Sequence, residues 1–157
     1  MRTNNNNVKN LIISVYFVLA LLAIVAAIMF RMFSGISDDD PVVVFLVISL
    51  CFGAVFFIVH AIAKYFEYDS DGMKVVVTNK GLLLSDRFNY REHTVEFHKK
   101  DLSGFKLHNY GVYTTLVLLI KDKRGNTNKE RFNVTLVSRK KRKYIRQSLS
   151  KMIKQNR

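Results

Sequence analysis

Lys106, His108 and Tyr110 alternate along one short segment, with Leu107 and Asn109 between them and Phe105 just before. Successive side chains of an extended strand point to opposite faces, so the cation, the imidazole and the phenol share one face while Phe105 and Leu107 share the other. A cation for a phosphate, a ring nitrogen for a hydrogen bond and an aromatic ring for a base make up the set that nucleotide sites use. Asn109 and Tyr113 flank Gly111 and are placed to add base-edge contacts. Further on, Lys129, Arg131, Asn133 and Thr135 alternate with Phe132, Val134 and Leu136, and Arg131 joins the candidate ligand set. The outer face of any half-buried antiparallel sheet is polar as well, so a solvated face and a binding face both fit this pattern.

Arg139, Lys140, Lys141, Arg142 and Lys143 form an unbroken cationic run. It falls in the first turns of a helix expected from Ser138 to about Gln155, with Ser138 as N-cap. Cations there oppose the macrodipole by about 0.3–1 kcal/mol each, and a bound anion would reverse that cost. Inner-leaflet headgroups, nucleic acid and a soluble nucleotide would each supply such an anion. Attraction to anionic lipid, at ~1 kcal/mol per nearby Lys or Arg, is the plainest of these.

Catalytic and metal chemistry finds no comparable support. His93 and His98 are five apart and point to opposite faces of one strand, and His108 has no Cys or His partner at zinc-ligand spacing. Cys51, the only cysteine, lies in an apolar stretch that disfavours a thiolate and excludes a disulfide scaffold. Phosphate-loop, dinucleotide and nucleophile-elbow motifs are absent from the sequence. No catalytic residue, metal or cofactor is therefore expected. Asp38, Asp39 and Asp40 read as a solvated turn ending at Pro41, because a calcium loop needs spaced ligands.

The elements that must carry these residues are set by a division of the chain. Of 157 residues with a net charge of +13, the first 63 hold three basic and three acidic side chains. The whole excess belongs to residues 64–157, which is enough chain for one small domain. Leu11–Phe30 and Val42–Ala63 are uncharged apolar runs of 20 and 22 residues, each long enough to cross a hydrocarbon core of ~30 Å as a helix. A cleaved leader would end its first run differently, since Arg31 follows with no small-residue cleavage site. Lys and Arg resist translocation, so the expectation is a multi-pass membrane protein with both termini cytoplasmic. Ser49 with Gly53, and Ala23 with Ala27, give each helix a small-residue face, suited to the hairpin itself or to a homo-oligomer. Tyr65, Phe66 and Tyr68 read as interfacial anchors.

The expected fold is thus a membrane α-hairpin of two transmembrane helices plus an α+β soluble domain, an antiparallel β-sheet or partial barrel with a C-terminal amphipathic helix. Residues 1–10 form the N-terminal segment, 11–63 the anchor, 64–72 a linker and 73–157 the ligand-binding domain. Strands are predicted at 73–78, 81–86, 92–98, 103–110, 112–121 and 127–137, with turns at 79–81 and 122–126. Ile145, Leu149, Met152 and Ile153 make one apolar stripe on the closing helix.

Six short strands, the Thr-Asn-Lys-Gly-Leu turn at 78–82 and the closing amphipathic helix resemble a bacterial pleckstrin-homology-like domain across roughly residues 73–155. A short two-helix anchor followed by a small basic domain also resembles the membrane effectors of antiphage defence, such as those of type III CRISPR systems. That resemblance implies a cyclic oligonucleotide messenger such as cyclic tetra-adenylate, sensed by the soluble part and answered by perturbation of the membrane. The pleckstrin-homology-like resemblance implies instead a module for anionic inner-leaflet lipid or a protein partner. Long nucleic acid is not an expected partner under either.

Overall fold

The computed structural model describes residues 1–33, 41–81, 92–122 and 124–156. Asp38–Asp40 and most of the strand expected at 81–86 lie outside them. The chain divides into two compact units, Asn10–Ala61 and the rest.

The first unit holds the helices α1 (Val8–Phe33, which begins two residues before it) and α2 (Pro41–Ile62). Both are long and apolar enough to cross a membrane, with mean hydropathies of 3.0 and 3.1. They lie side by side in opposite directions: the rings of Tyr16 and Phe56 are 5.2 Å apart, and those of Phe30 and Phe45 5.8 Å apart. Large side chains face outward, Leu50 at 75% and Phe57 at 73% exposure. In water each would forgo about 1.5–3 kcal/mol of burial. A Cβ added at Gly53 would meet nothing within 4 Å, so the small-residue face of α2 is not consumed by α1.

The second unit has two antiparallel sheets and a helix. The first sheet runs β1 (Arg2–Asn4), β2 (Lys64–Asp69), β3 (Lys74–Gly81), β4 (His93–His98) in that order. The second runs β5 (Leu102–Asn109), β6 (Thr114–Lys121), β7 (Thr127–Asn133), and α3 (Arg139–Gln155) follows it. Among the described residues the expected antiparallel sheet is found as two sheets, and no barrel is closed. Phe66 and Tyr68 of β2, Val75 and Val77 of β3, Leu116 and Leu118 of β6 and Phe132 of β7 converge on Ile145, Leu149 and Met152 of α3. The helical stripe is as expected, with Ile153 at its margin.

Three assignments change. Residues 64–72 are not a linker: their first six form β2, an interior strand paired on both sides. Phe66 and Tyr68 are fully buried and do not anchor at an interface. Their period-two alternation with Tyr65 and Glu67 marks a half-buried strand, a pattern overshadowed by the apolar run just before it. Asn79-Lys80-Gly81 is likewise not a turn but the end of β3, opposite Phe66, Tyr65 and Lys64. Turn-favouring residues were drawn into a strand because Asn79 finds tertiary partners, described below, and Lys80 lies 5.3 Å from the Tyr65 ring centroid. Of the expected turn at 122–126, Lys123 lies outside the described residues; around it the Asp122 amide donates to the Asn126 carbonyl and the Gly125 amide to the Asp122 carbonyl, both at 2.8 Å.

Asn5 splices the N-terminal segment onto β2. Its backbone N–H donates to the Phe66 carbonyl at 3.2 Å, and its side-chain oxygen accepts from the Phe66 amide at 2.8 Å. Its side-chain amide donates to the Lys64 carbonyl at 3.0 Å. The chain therefore runs towards α1, and returns from α2, at one place on this unit.

Candidate functional site

The outward face of the second sheet is built of cross-strand rows. Lys106 lies opposite Val117, and Val117 opposite Arg131. The next row is His108, Thr115 and Asn133, and the preceding one Gly104, Leu119 and Lys129. Two strand spacings place the Lys106 and Arg131 backbones about 9–10 Å apart, with an apolar floor of Val117 and Leu119 between the flanking cations. Gly104 keeps that floor low, since a Cβ there would stand 3.1 Å from Leu119 Cδ1. A register shift between Leu102 and Gly104 restores Phe105 and Leu107 to the core face.

Over this floor lies a cleft of about 760 Å³. Lys106, His108, Tyr110, Tyr113 and Arg131 of the candidate set all line it. Lys106, Lys129 and Arg131 have no carboxylate within ion-pair reach among the described residues. At the far end the His108 and Tyr110 rings are near parallel, with centroids 6.1 Å apart. The turn beyond them is closed by the Tyr110 amide donating to the Tyr113 carbonyl at 2.8 Å, and Gly111 takes the left-handed conformation at φ 78°. The cleft is thus cationic at one end and aromatic at the other.

Asn109 does not line it. Its side-chain oxygen accepts from the Gly111 amide at 3.1 Å and the Thr114 hydroxyl at 3.4 Å, so it holds the turn. Odd-even parity excludes it too, because it faces opposite to His108 and Tyr110. Thr135 also leaves the face: β7 ends at Asn133, and the Thr135 hydroxyl accepts from the Thr114 amide at 2.9 Å.

The other wall comes from the first sheet, through Lys64, Asn79 and His93. Asn79 donates through Nδ2 to the carbonyls of Asn133 (3.0 Å) and Tyr65 (2.9 Å), and its Oδ1 accepts from the Asn133 amide at 3.1 Å. His93 Nε2 stands 3.0 Å from Glu130 Oε2, with its ring 5.0 Å from that of Phe132. These three residues belong to a sheet whose packing against β7 has no signature in local spacing.

The cationic run behaves as two groups. Ser138 caps α3, its hydroxyl accepting from the Lys141 amide at 3.4 Å. Lys141 Nζ donates to the Asn4 carbonyl at 2.6 Å, and Arg142 Nη1 to the Thr114 hydroxyl at 3.1 Å. Those two cations tie α3 to β1 and β6, which corrects the picture of five equivalent anion ligands. Arg139, Lys140 and Lys143 remain exposed. Along the outer face of α3, Lys143, Arg146, Lys151 and Lys154 border a shallow groove of about 510 Å³. No group of His, Cys, Asp and Glu among the described residues is placed to hold a metal ion.

Comparison with protein-family models, with curated proteins and with solved structures finds no match to this chain.

Proposed function

We propose that this chain is a membrane-anchored receptor for a small phosphate-bearing messenger. The observation behind the reading is that Lys106 and Arg131 flank Val117 in a cleft that ends in Tyr110 and Tyr113. Phosphate goes to the cationic end, and a base goes to the aromatic end, where stacking is worth about 1–3 kcal/mol per base. Cyclic oligonucleotides such as cyclic tetra-adenylate combine both features, and antiphage defence is the setting that the sequence resemblance implies. No catalytic step is part of this proposal.

The two apolar helices serve as the anchor. β1 precedes them and β2 follows them in one sheet, so two crossings return the chain to the side it started from. The excess of Lys and Arg in that unit favours the cytoplasmic side, and the inner membrane of a bacterium is the site that the sequence resemblance implies. A symmetric ring seats most simply between copies of the chain, and the open Ser49–Gly53 face of α2 gives copies a surface for close approach. Lys64 lines the cleft two residues after the end of α2, giving a short covalent route from ligand to helix. A ligand drives the helices only by preferring one arrangement over another.

Thermal unfolding of the full chain, titrated with cyclic di-, tri- and tetranucleotides and with inorganic phosphate, tests the reading. Saturable stabilisation by one nucleotide is expected, about 2.7 kcal/mol at a hundredfold excess over Kd. If every nucleotide leaves the transition where phosphate does, the messenger reading fails.

A further inference from the structure

We infer that the end of the soluble unit carrying the N-terminus of α3 is an anionic-lipid docking face, in which Val112 enters the interface and Arg139 and Lys140 meet headgroup phosphates. The inference rests on the anchoring helices of the preceding section but not on what occupies the cleft.

Three observations within this unit converge on that end. The first is covalent. Asn5 and Lys64 are joined by a hydrogen bond of 3.0 Å, and they lie three residues before α1 and two after α2. At no more than about 3.6 Å per residue, this end stays within reach of the headgroups wherever the helices cross a bilayer. The second is charge. Lys141 Nζ reaches the Asn4 carbonyl, which sets the first turns of α3 beside the same segment. Arg139, Lys140 and Lys143 are left exposed there, and α3 contains no acidic residue. A helix start crowded with cations opposes its own dipole and repels itself, and an anionic surface removes both costs. The third is the turn between β5 and β6. Arg142 bonds Thr114, so this turn meets α3 at its first turns, and its tip presents Val112 at 70% exposure. Val112 is outside the cleft lining and among the core residues it has no place. Tyr144, one turn on from Lys140, adds an exposed aromatic of the kind that settles at headgroup level. The opposite end of the unit, where Asn156 bonds the Lys99 and Leu102 carbonyls and the Lys99 amide bonds the Met73 carbonyl, supplies an internal control.

The chain has no tryptophan, so Val112→Trp and Met73→Trp each place a single probe, one at each end. The full chain is reconstituted into nanodiscs of phosphatidylcholine, or of phosphatidylcholine with an equal share of phosphatidylglycerol, each containing brominated lipid as quencher. Incorporation that survives high salt reports the anchoring helices, independently of the probe. With phosphatidylglycerol present, the Val112→Trp probe is expected to be blue-shifted and quenched about twofold or more over Met73→Trp. Adding Arg139→Ala and Lys140→Ala, or raising the salt, should remove most of that difference. Equal quenching of the two probes in stably incorporated protein overturns the inference. So does a Val112→Trp probe indifferent to lipid charge that responds instead to an added single-stranded oligonucleotide, which would assign the face to nucleic acid.

Discussion

The side chain of Asn79 forms a two-way pair with the backbone of Asn133, donating to its carbonyl at 3.0 Å and accepting from its amide at 3.1 Å. One amide side chain from the first sheet therefore does what a neighbouring strand would do for the end of β7. The pair lies in the wall of the candidate site, so the separation of the two walls depends on it.

Asn79→Ala removes a partner from the amide and from the carbonyl of buried Asn133, and the Tyr65 carbonyl loses a donor as well. The expected cost is about 2–4 kcal/mol, read as a lowered midpoint in chemical or thermal unfolding. Asn79→Asp should cost nearly as much, because a carboxylate cannot donate to either carbonyl. A neutral result for both would mean that the two sheets are held apart by packing alone.

Lys106→Ala and Arg131→Ala are each expected to weaken nucleotide binding about 10–100-fold, as loss of a charge-assisted hydrogen bond does, with little change in unfolding midpoint. Asn109→Ala should show the reverse balance, destabilising the turn at Gly111 while altering affinity only through it. Calorimetric titration beside thermal unfolding separates the two outcomes. If Asn109→Ala costs more affinity than Lys106→Ala, the ligand sits on the turn and not on the sheet.

Burial, aided by a hydroxyl donated to Glu67 at 2.8 Å, pushes the Tyr65 phenol up to about 12 from its ordinary 10. Burial raises Tyr68 in the same direction. A phenol whose pKa is higher in the folded state contributes stability that is complete below pH 10 and is lost as pH rises through 12. Unfolding free energy should fall across that window, in step with the rise of tyrosinate absorbance. Tyr65→Phe should flatten the dependence, and an unchanged slope would show that Tyr65 is not responsible.

Leu149 is fully buried where α3 meets both sheets, and Leu149→Ala should cost about 2–5 kcal/mol. Ser138→Ala removes a long 3.4 Å cap and should cost only about 0.5–1 kcal/mol. Comparable losses from the two would place the stability of α3 in its cap and not in its packing.

Run length and lack of charge were enough to read the two apolar helices, and periodicity to read the stripe of Ile145, Leu149 and Met152 and the shared face of Lys106, His108 and Tyr110. In the latter two cases the repeat of side-chain direction is a property of the local backbone, so spacing carries the answer. β2 obeys the same rule, with Phe66 and Tyr68 alternating against Tyr65 and Glu67. It was masked because aromatic residues beside an apolar run also suit a membrane interface. Other features have no local cause. Asn79 looks like a turn residue until Asn133 stands opposite it. Lys141 and Arg142 look like their neighbours in the cationic run until Asn4 and Thr114 claim them. Residue type and spacing decided which side chains share a face of one strand. Only the packing of one sheet against another decided that Lys64, Asn79 and His93 complete a cleft with them, because hydrogen bonds between residues 54 apart depend on the arrangement of whole elements and not on the repeat within any one.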